Sequence, residues 1–479
     1  CFTYLKSVER DILEMVQKEG TCLKDGSMSS LAQELSKKHL INLLNIERIL
    51  EDTFDKLDGS SIPHPLTRPI IFEGCRTEDI SGYVQKYKET MQGYADTCRQ
   101  LISSLARIAE SPSDFIGLRN EDSLEFHPLH PRWNNEHSTG GAHSRIYTSA
   151  TLSPTSDVSD LLGLQGNLRI TIDPVFKDSN YLPFFVAGAN SSPKGNGETF
   201  VAGERNVLED IITLATKAAS GKNIGIFCNN KHNVTQIYDI LSSGKDGLTL
   251  LPYIKNGEDD ENPYHRVFEQ NFHRLARKLG LDASYEDSNV IELFRRMGKT
   301  DDTTVLLGVS GGSMAEGIDY KGEDMEMVIN VGLPYPSNEK ELFITEAKTE
   351  YHTVRLGDRN KAEDLAYKQD AFRKLSQTVG RANRSISDRA VIICLDERLL
   401  GLKNDGEDYE FLSMRNVRKN LRLLPRPMSR FNQNIVIPSY MGDDAPEMND
   451  YLQRLASPRD FIEPKRMYKR IREFYHGAH

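Results

Sequence analysis

Beyond Arg145 the chain alternates between short apolar runs and segments with helical periodicity, and no other feature constrains the fold as much. Helical spacing predicts helices over about 205–220, 234–242, 285–297 and 361–379. This alternation is typical of a mainly parallel sheet covered on both faces, which is an α/β fold whose ligands collect at the carboxyl ends of the strands. The predicted strands are Ile146–Tyr147, Ile224–Cys228, Val305–Val309, Met327–Val331 and Ala390–Leu395.

The first part of the chain has a different pattern. Apolar residues recur at helical spacing from Cys1 to about Leu57 and again from about Asp79 to Ala109. A proline-rich break at Ile62–Pro65 separates the two stretches, and the polar run Trp133–Gly141 predicts a loop. The sequence therefore predicts a mostly helical segment ahead of the alternating half.

Length and composition narrow the class of protein. A chain of 479 residues predicts two or three domains, and 38% hydrophobic with 27% charged residues is typical of a soluble globular protein. No apolar run approaches the roughly 20 residues that span a bilayer, so we expect no membrane role. Six scattered cysteines without a Cys-x-x-Cys pair favour the cytoplasm, or the nucleus of a eukaryote, over a disulfide framework or a zinc site. The first residue is Cys1 without a signal segment, which suggests a fragment or a processed chain.

The octet Gln377–Arg384 lies just ahead of the last predicted strand and carries Arg381 and Arg384 three residues apart. A guanidinium is charged at any working pH and presents a planar fork of donors. Two such groups held together suit a phosphoryl group whose negative charge spreads in a transition state. Two solvated surface arginines are the alternative that the octet alone leaves open.

Two further constellations follow predicted strands. The run Tyr147–Pro154 carries small hydroxyl residues that could couple a phosphate site to a neighbouring groove, or form a simple polar turn. The run Gly308–Tyr320 is rich in glycine, which lets a backbone approach an anion closely, and it adds the carboxylates Glu316 and Asp319. A purely structural loop is the alternative for this second run.

Two partial matches to nucleotide-binding motifs are rejected. Gly298-Lys299-Thr300 looks like the end of a phosphate-binding loop, but Leu293 stands where the leading glycine belongs. Asp396-Glu397 resembles a magnesium-holding acidic pair, yet no Gly-x-x-x-x-Gly-Lys-Ser/Thr occurs anywhere in the chain. The chain as given therefore cannot cradle a triphosphate by itself.

Four segments resemble, in order and spacing, motifs of the XPD/DinG family of superfamily 2 DNA helicases. The resemblance implies RecA-like domains that close over ATP and a motor that moves 5′ to 3′ along single-stranded DNA. It divides the chain into an arch-like helical segment with its return (1–137), the end of the first RecA-like domain (138–180) and the second RecA-like domain (181–479). The four segments are Thr148–Pro154, Gly311–Tyr320, Gly332–Pro336 and Gln377–Arg384.

The resemblance also implies roles for individual residues. Arg381 and Arg384 would contact the phosphates of ATP from the second domain, and Gln377 and Gly380 would shape their helix. Glu316, Gly317 and Asp319 would link the nucleotide site to the DNA groove. The coupling motif at the end of the first RecA-like domain would include Thr148, Ser149 and Thr151. Asp396 and Arg398 match an Asp-x-Arg that follows the last motif in many members.

Several family features are absent from the chain. The phosphate-binding loop, the Asp-Glu-Ala-His box and the four-cysteine iron–sulfur domain all precede the arch in relatives and would lie upstream of Cys1. ATP with Mg²⁺ would then be held mainly by that N-terminal portion, and we assign no metal or iron–sulfur site within this chain. The partly acidic stretch Asn256–Ser284 matches loosely and is interpreted as a family-variable insertion.

The resulting hypothesis is the C-terminal portion of an ATP-dependent DNA helicase that works with a missing N-terminal portion or a complementing subunit. The alternative is an ATPase-free truncated accessory protein that binds single-stranded DNA or a partner helicase. Tyr468 or Trp133 could stack a base, and two basic runs could neutralise a DNA backbone or form solvated helix faces. The first run is Arg415, Arg418, Lys419, Arg422, Arg426 and Arg430, and the second is Lys465, Arg466, Lys469, Arg470 and Arg472.

Overall fold

The fold is given by a computed structural model. It describes residues 22–23, 48, 93, 96, 100, 104, 107–108, 110–119, 124–132, 135, 142–148, 159, 162, 164, 168–170, 172, 177–189, 201–202, 205–244, 247–254, 264–315, 318, 320–336, 339–382, 386–404, 409–411, 417, 424, 434–438, 451 and 461–477.

The described residues fall into two compact units. The first comprises 1–145, 160–165 and 342–359, and the second comprises 146–159, 166–341 and 360–479. The domain boundaries at 138 and 181 that were inferred from the sequence stay predictions.

The first unit contains an antiparallel sheet of three strands, β1 (Cys22–Leu23), β2 (Phe115–Arg119) and β3 (Leu124–Pro128). Ile116 and Leu129 bury their side chains against Ala347 of the helix Glu339–Leu356. Sequence periodicity predicted helices in this part of the chain and did not anticipate the sheet. Described positions such as 93, 96 and 100 are helical, as expected.

Two histidines are buried in the first unit. Arg132 donates its backbone N–H to Nδ1 of His130 at 3.0 Å, and the Arg355 guanidinium lies against Nε2 of the same ring. The His352 ring is 5.8 Å from that of His130, centroid to centroid. Burial, then the nearby Arg355, lowers the pKa of both rings to about 4, so both are neutral at pH 7.

The second unit is built from strands and helices in near-strict alternation. Two short antiparallel hairpins stand outside its main sheet: β5 (Val201–Ala202) pairs with β6 (Arg205–Asn206), and β12 (Leu402–Asn404) pairs with β13 (Tyr409–Phe411). The strands of the main sheet are β4 (Tyr181–Val186), β7 (Asn223–Cys228), β8 (Thr249–Pro252), β9 (Thr304–Val309), β10 (Met327–Val331), β11 (Ala390–Leu395), β14 (Ile435–Val436) and β15 (Phe461–Ile462). The helices of this unit are α1 (Val207–Ala218), α2 (Lys231–Ser243), α3 (Tyr264–Lys278), α4 (Asp287–Met297), α6 (Arg359–Glu363), α7 (Gln369–Val379) and α8 (Pro464–His476). The remaining helix, α5 (Glu339–Leu356), belongs mostly to the first unit.

The eight strands form one sheet in the order β15-β14-β4-β11-β10-β7-β9-β8, and neighbouring strands pair in parallel throughout. Parallel strands need crossover connections, which the helices supply. The α/β fold with a RecA-like parallel sheet flanked by helices is therefore confirmed.

Alternate residues of each central strand belong to different apolar clusters. In β11, Ile392 packs with α4 and α7 on one face, whereas Ile393 packs with α1 and α8 on the other. Every residue of β7, β10 and β11 is buried. This double burial explains why those strands appear as nearly continuous apolar runs in the sequence.

Four of the five predicted strands are present, and the strand predicted at Ile146–Tyr147 is wrong. These two residues have no regular secondary structure and belong to no described sheet, and Ile146 is 90% exposed. A two-residue apolar run carries too little pattern to show whether a neighbouring backbone is there to pair with it. The helices predicted near 205, 234, 285 and 361 are confirmed, with Asp364–Lys368 forming a π-helical turn between α6 and α7.

The sequence interpretation missed several elements. The strands β8, β14 and β15 are only two to four residues long, and β4 contains a proline, which weakens a strand pattern. Helix α3 lies within 256–284, where the loose match had suggested only a variable insertion. Among the described helices, none combines the length and the apolar character that a bilayer crossing requires.

The two buried histidines predict an acid-sensitive first unit. Their folded-state pKa of about 4 lies below the ordinary 6.5, so the unfolded chain binds more protons between these pH values. Stabilisation of the first unit is therefore complete above pH 6.5 and is lost as the pH falls through 4. Hydrogen exchange of the β2 and β3 amides, corrected for intrinsic pH dependence, should rise over that interval.

The variant His352→Phe should show a smaller acid-induced rise in hydrogen exchange, because one of the two histidines that resist protonation in the folded state is gone. His232→Phe, which changes an exposed histidine of α2 in the second unit, is the matched control and should respond like the parent chain. An unchanged acid response in His352→Phe would contradict this assignment.

Candidate functional site

Four central strands of the main sheet end at the same edge. The register aligns Cys228 with both Val309 and Val331, and Val331 with Leu395. The residues that follow these ends are mostly polar or glycine: Asn229, Ser310, Gly332 and Asp396. Because such edges are where parallel α/β sheets bind ligands, this edge is the candidate site.

A buried relay of hydrogen bonds joins two of these strand ends. The Ser310 hydroxyl donates to Oδ1 of Asn330 at 3.1 Å, and Nδ2 of Asn330 donates to the Gly332 carbonyl at 2.7 Å. The Ser310 backbone N–H donates to the Cys228 carbonyl at 2.7 Å. The ends of β7, β9 and β10 are therefore fixed to one another by buried hydrogen bonds.

The glycines of the loop after β9 have different tasks. A side chain at Gly308 would meet Cβ of Met314 at 3.2 Å, and one at Gly312 would meet the Val309 carbonyl at 3.0 Å. These two glycines let the loop fold back on its own strand. Gly311 is exposed and has a φ of 78°, so it is the glycine that the turn needs for its backbone conformation.

Arg381 joins the arginine octet to this loop. It follows α7 in a short 3₁₀ turn and is only 8% exposed. Its Nε donates to the Ala315 carbonyl and its NH1 to the Ile318 carbonyl, each at 2.8 Å. Two motifs that are more than 60 residues apart are therefore fastened together by one planar guanidinium.

The other predicted site residues are placed less fully. Gln377 and Gly380 are half-buried at the end of α7, and a Cβ added at Gly380 would meet nothing within 4 Å. Thr148 is exposed and outside regular secondary structure. The predicted residues Glu316, Gly317, Asp319, Arg384, Ser149 and Thr151 lie outside the described residues, as do Trp133 and all six basic residues of the first basic run.

Asp396 ties the neighbouring strand ends together. Its Oδ2 accepts from the Leu333 backbone N–H at 2.7 Å, and its Oδ1 accepts from Nε of Arg398 at 2.8 Å. The Arg398 guanidinium lies 4.9 Å from the centroid of the Tyr335 ring, which stacks on Tyr367 of the π-helical turn at 4.7 Å. Asp396 is fully engaged in this cluster, which supports discarding Asp396-Glu397 as a magnesium pair.

No group of three or more potential metal-ligating side chains occurs in the part of the chain that the structure describes.

The sequence interpretation missed a polar cluster at the end of β7. Asn230 caps α2 by accepting from the Asn233 backbone N–H at 2.8 Å, and Nδ2 of Asn233 donates to Oδ1 of Asn229 at 2.6 Å. It also assigned no role to Asn330 or Ser310. The sequence did contain a signal, because Asn330 stands inside one apolar strand and Asn229 and Asn230 directly follow another. Amide groups at such positions need hydrogen-bond partners when they are buried.

The fold and the site define a RecA-like α/β domain in which the loop after β9 and Arg381 meet at the strand ends. Residues 213–408 match the helicase C-terminal domain family. The chain is similar to ATP-dependent DNA helicase chl-1 of Caenorhabditis elegans, with 30% identity over 217 residues, which are 40% of this chain and 24% of that protein. It is also similar to ATP-dependent DNA helicase XPD of Sulfolobus acidocaldarius, with 31% identity over 144 residues, which are 29% of this chain and 24% of that protein.

A solved XPD helicase aligns with 90% of this chain and 67% of its own chain, with 15% sequence identity and a TM-score of 0.41. These sequence matches support an XPD/DinG-like superfamily 2 helicase C-terminal region within this chain. The matched part spans about a quarter of the length of each of these two curated relatives.

The Asp396 cluster predicts a large stability difference between two aspartate variants. Asp396→Ala leaves Arg398 and the Leu333 N–H without their shared buried acceptor, so we expect a loss of about 3–5 kcal/mol in the free energy of unfolding. Asp370→Ala removes a half-exposed carboxylate that pairs with Lys374 at 3.2 Å, and should cost no more than about 1 kcal/mol. Urea denaturation followed by circular dichroism measures both, and similar midpoints for the two variants would contradict the prediction.

Proposed function

We propose that this chain is the motor half of an ATP-dependent 5′ to 3′ DNA helicase that supplies the arginine side of the ATP site. The phosphate loop and the acidic box would come from an N-terminal portion or a complementing subunit, together with most of the Mg²⁺ contacts. The observation that carries the proposal is the pair of hydrogen bonds from Arg381 to the loop after β9.

That pair of bonds supports a mechanism of coupling. The octet is the segment expected to touch ATP, and the loop with Glu316, Gly317 and Asp319 is the segment expected to lead to the DNA groove. Since Arg381 fastens one to the other, a shift of the octet toward the phosphates would move the loop as well. ATP supplies the phosphoryl group whose transfer drives the cycle, and Arg384 would meet its developing charge.

A second observation supports a contribution from outside the chain. Leu168, Ile170 and Ile172 alternate along the sequence and are 86%, 68% and 83% exposed, and Ile146 is exposed as well. Alternating apolar residues are typical of a strand with one face on a core. Exposed apolar groups of this kind mark interaction surfaces, and the rest of a first RecA-like domain would cover them.

The test is ATP hydrolysis by a longer chain or complex that includes the phosphate loop. Single-stranded DNA should stimulate it, and Arg381→Ala should lower turnover by orders of magnitude, because the octet would lose its bonds to the loop after β9. Arg384→Ala should lower turnover by roughly 10³–10⁵, the usual size of an arginine-finger loss. Arg381→Lys keeps the charge but loses the planar fork that serves both carbonyls, so it should also be strongly impaired.

Arg373→Ala is the matched control, because Arg373 lies on α7, directly ahead of the turn that carries Arg381, but pairs with the surface residue Asp370 at 3.8 Å. It should hydrolyse ATP at close to the parent rate. Hydrogen exchange over 308–320 should rise in Arg381→Ala and stay unchanged in Arg384→Ala, although both lose turnover. Normal ATP hydrolysis by Arg381→Ala would overturn the proposed role, and failure of every added N-terminal portion to restore hydrolysis would favour the ATPase-free accessory protein.

A further inference from the structure

Helix α8 concentrates positive charge in a chain that is acidic as a whole. Its 13 residues contain five Lys or Arg and one Glu, whereas the whole chain has a formal net charge of -10. The helix therefore carries a local charge opposite in sign to the average surface. Local charge of this kind decides which ligands approach a protein.

The charges are arranged in a line. Lys465, Lys469 and Arg472 follow one another at spacings of four and three residues, which places them along one side of a helix over about 10 Å. All three are exposed, and the Lys469 side chain is 75% exposed. Among the described contacts of these three side chains, the ion pair is Lys469–Glu473 at 3.7 Å, which is a weak surface pair.

The opposite side of α8 is anchored to the second unit. Met467 and Ile471 are completely buried in the apolar cluster beneath the helix. The Tyr475 hydroxyl donates to the Glu326 carbonyl at 2.7 Å, and the Arg389 guanidinium lies 4.2 Å from the centroid of the Phe474 ring. The basic line is therefore held at a fixed orientation, which lowers the entropy cost of binding an extended ligand.

The line is distinct from the strand-end site. It starts after β15 at the carboxyl edge of the sheet and runs to the amino edge, where Tyr475 meets Glu326 just before β10. It also offers no outward aromatic ring, because Tyr468 is half-buried against the apolar cluster. Single-strand sites combine charge with stacking platforms, whereas non-specific duplex binding relies on charge alone.

We propose that the line of Lys465, Lys469 and Arg472 on α8 binds the sugar–phosphate backbone of duplex DNA, as a contact separate from the strand-end site. The choice of DNA as the polyanion rests on the proposed helicase function. A motor on single-stranded DNA meets a duplex wherever the strands are still paired, and this surface would hold that duplex without reading its sequence.

The test measures binding of a fluorescent duplex of about 20 base pairs to the chain as it stands, without ATP, between about 50 and 200 mM salt. The triple variant Lys465→Gln, Lys469→Gln, Arg472→Gln should reduce the slope of log K against log salt by about 2.7. The affinity lost over that salt range should shrink by about 40-fold. The charge-preserving triple Lys465→Arg, Lys469→Arg, Arg472→Lys should keep the parent slope.

The matched control is Arg274→Gln, Arg277→Gln, Lys278→Gln on α3, which packs along β8 at the other end of the strand order. These residues are equally exposed, and their loss should leave the slope unchanged. Three results would overturn the proposal: an unchanged slope in the α8 triple variant, an equal effect of the α3 triple variant, or an effect limited to single-stranded DNA. An unchanged slope is also the result expected if α8 binds an acidic protein instead of DNA. If one of these results were found while the longer chain still showed normal DNA-stimulated ATP hydrolysis, the duplex-binding proposal would be wrong and the proposed helicase function would stand.

Discussion

A parallel sheet buried on both faces is the constraint on which the second unit depends. Every residue of β7, β10 and β11 is inaccessible to solvent, so the strands can carry few polar groups along their length. Chemistry is therefore confined to the strand ends, and the crossover helices bring those ends to one edge. The relay from Ser310 through Asn330 to Gly332 occupies that edge and fixes its strand ends relative to each other.

Two ionic side chains then fasten the motifs to this frame. Arg381 bonds to the loop after β9, and Asp396 bonds to the segment after β10 through the Leu333 N–H. Both groups are buried, where an unmade hydrogen bond is costly, so each holds its partner in a single arrangement. Both bonds lie between segments that resemble helicase motifs, and the proposed function needs such fixed connections between the nucleotide side and the nucleic-acid side.

The sequence was most informative where burial was complete. Long apolar runs predicted β7, β9, β10 and β11, and the ordered motifs predicted the family that the helicase C-terminal domain match supports. It was least informative where pattern was short or mixed. Ile146–Tyr147 is apolar but pairs with no described strand, while β14 and β15 are two residues each and owe their place to neighbouring strands. The amphipathic pattern of α3 was overlooked because the surrounding segment matched the family poorly.

The sequence by itself determined the α/β class, the order of the four central strands β7, β9, β10 and β11 along the chain and the identity of the motif residues, because these depend on local composition and spacing. It predicted that Arg381 contacts a phosphate, but it could not show that the Arg381 guanidinium donates to the carbonyls of Ala315 and Ile318. It could list five basic residues near the end of the chain, but not which of them face outward. Only the tertiary structure decided these points, because hydrogen-bond partners and exposure depend on which distant segments folding brings together.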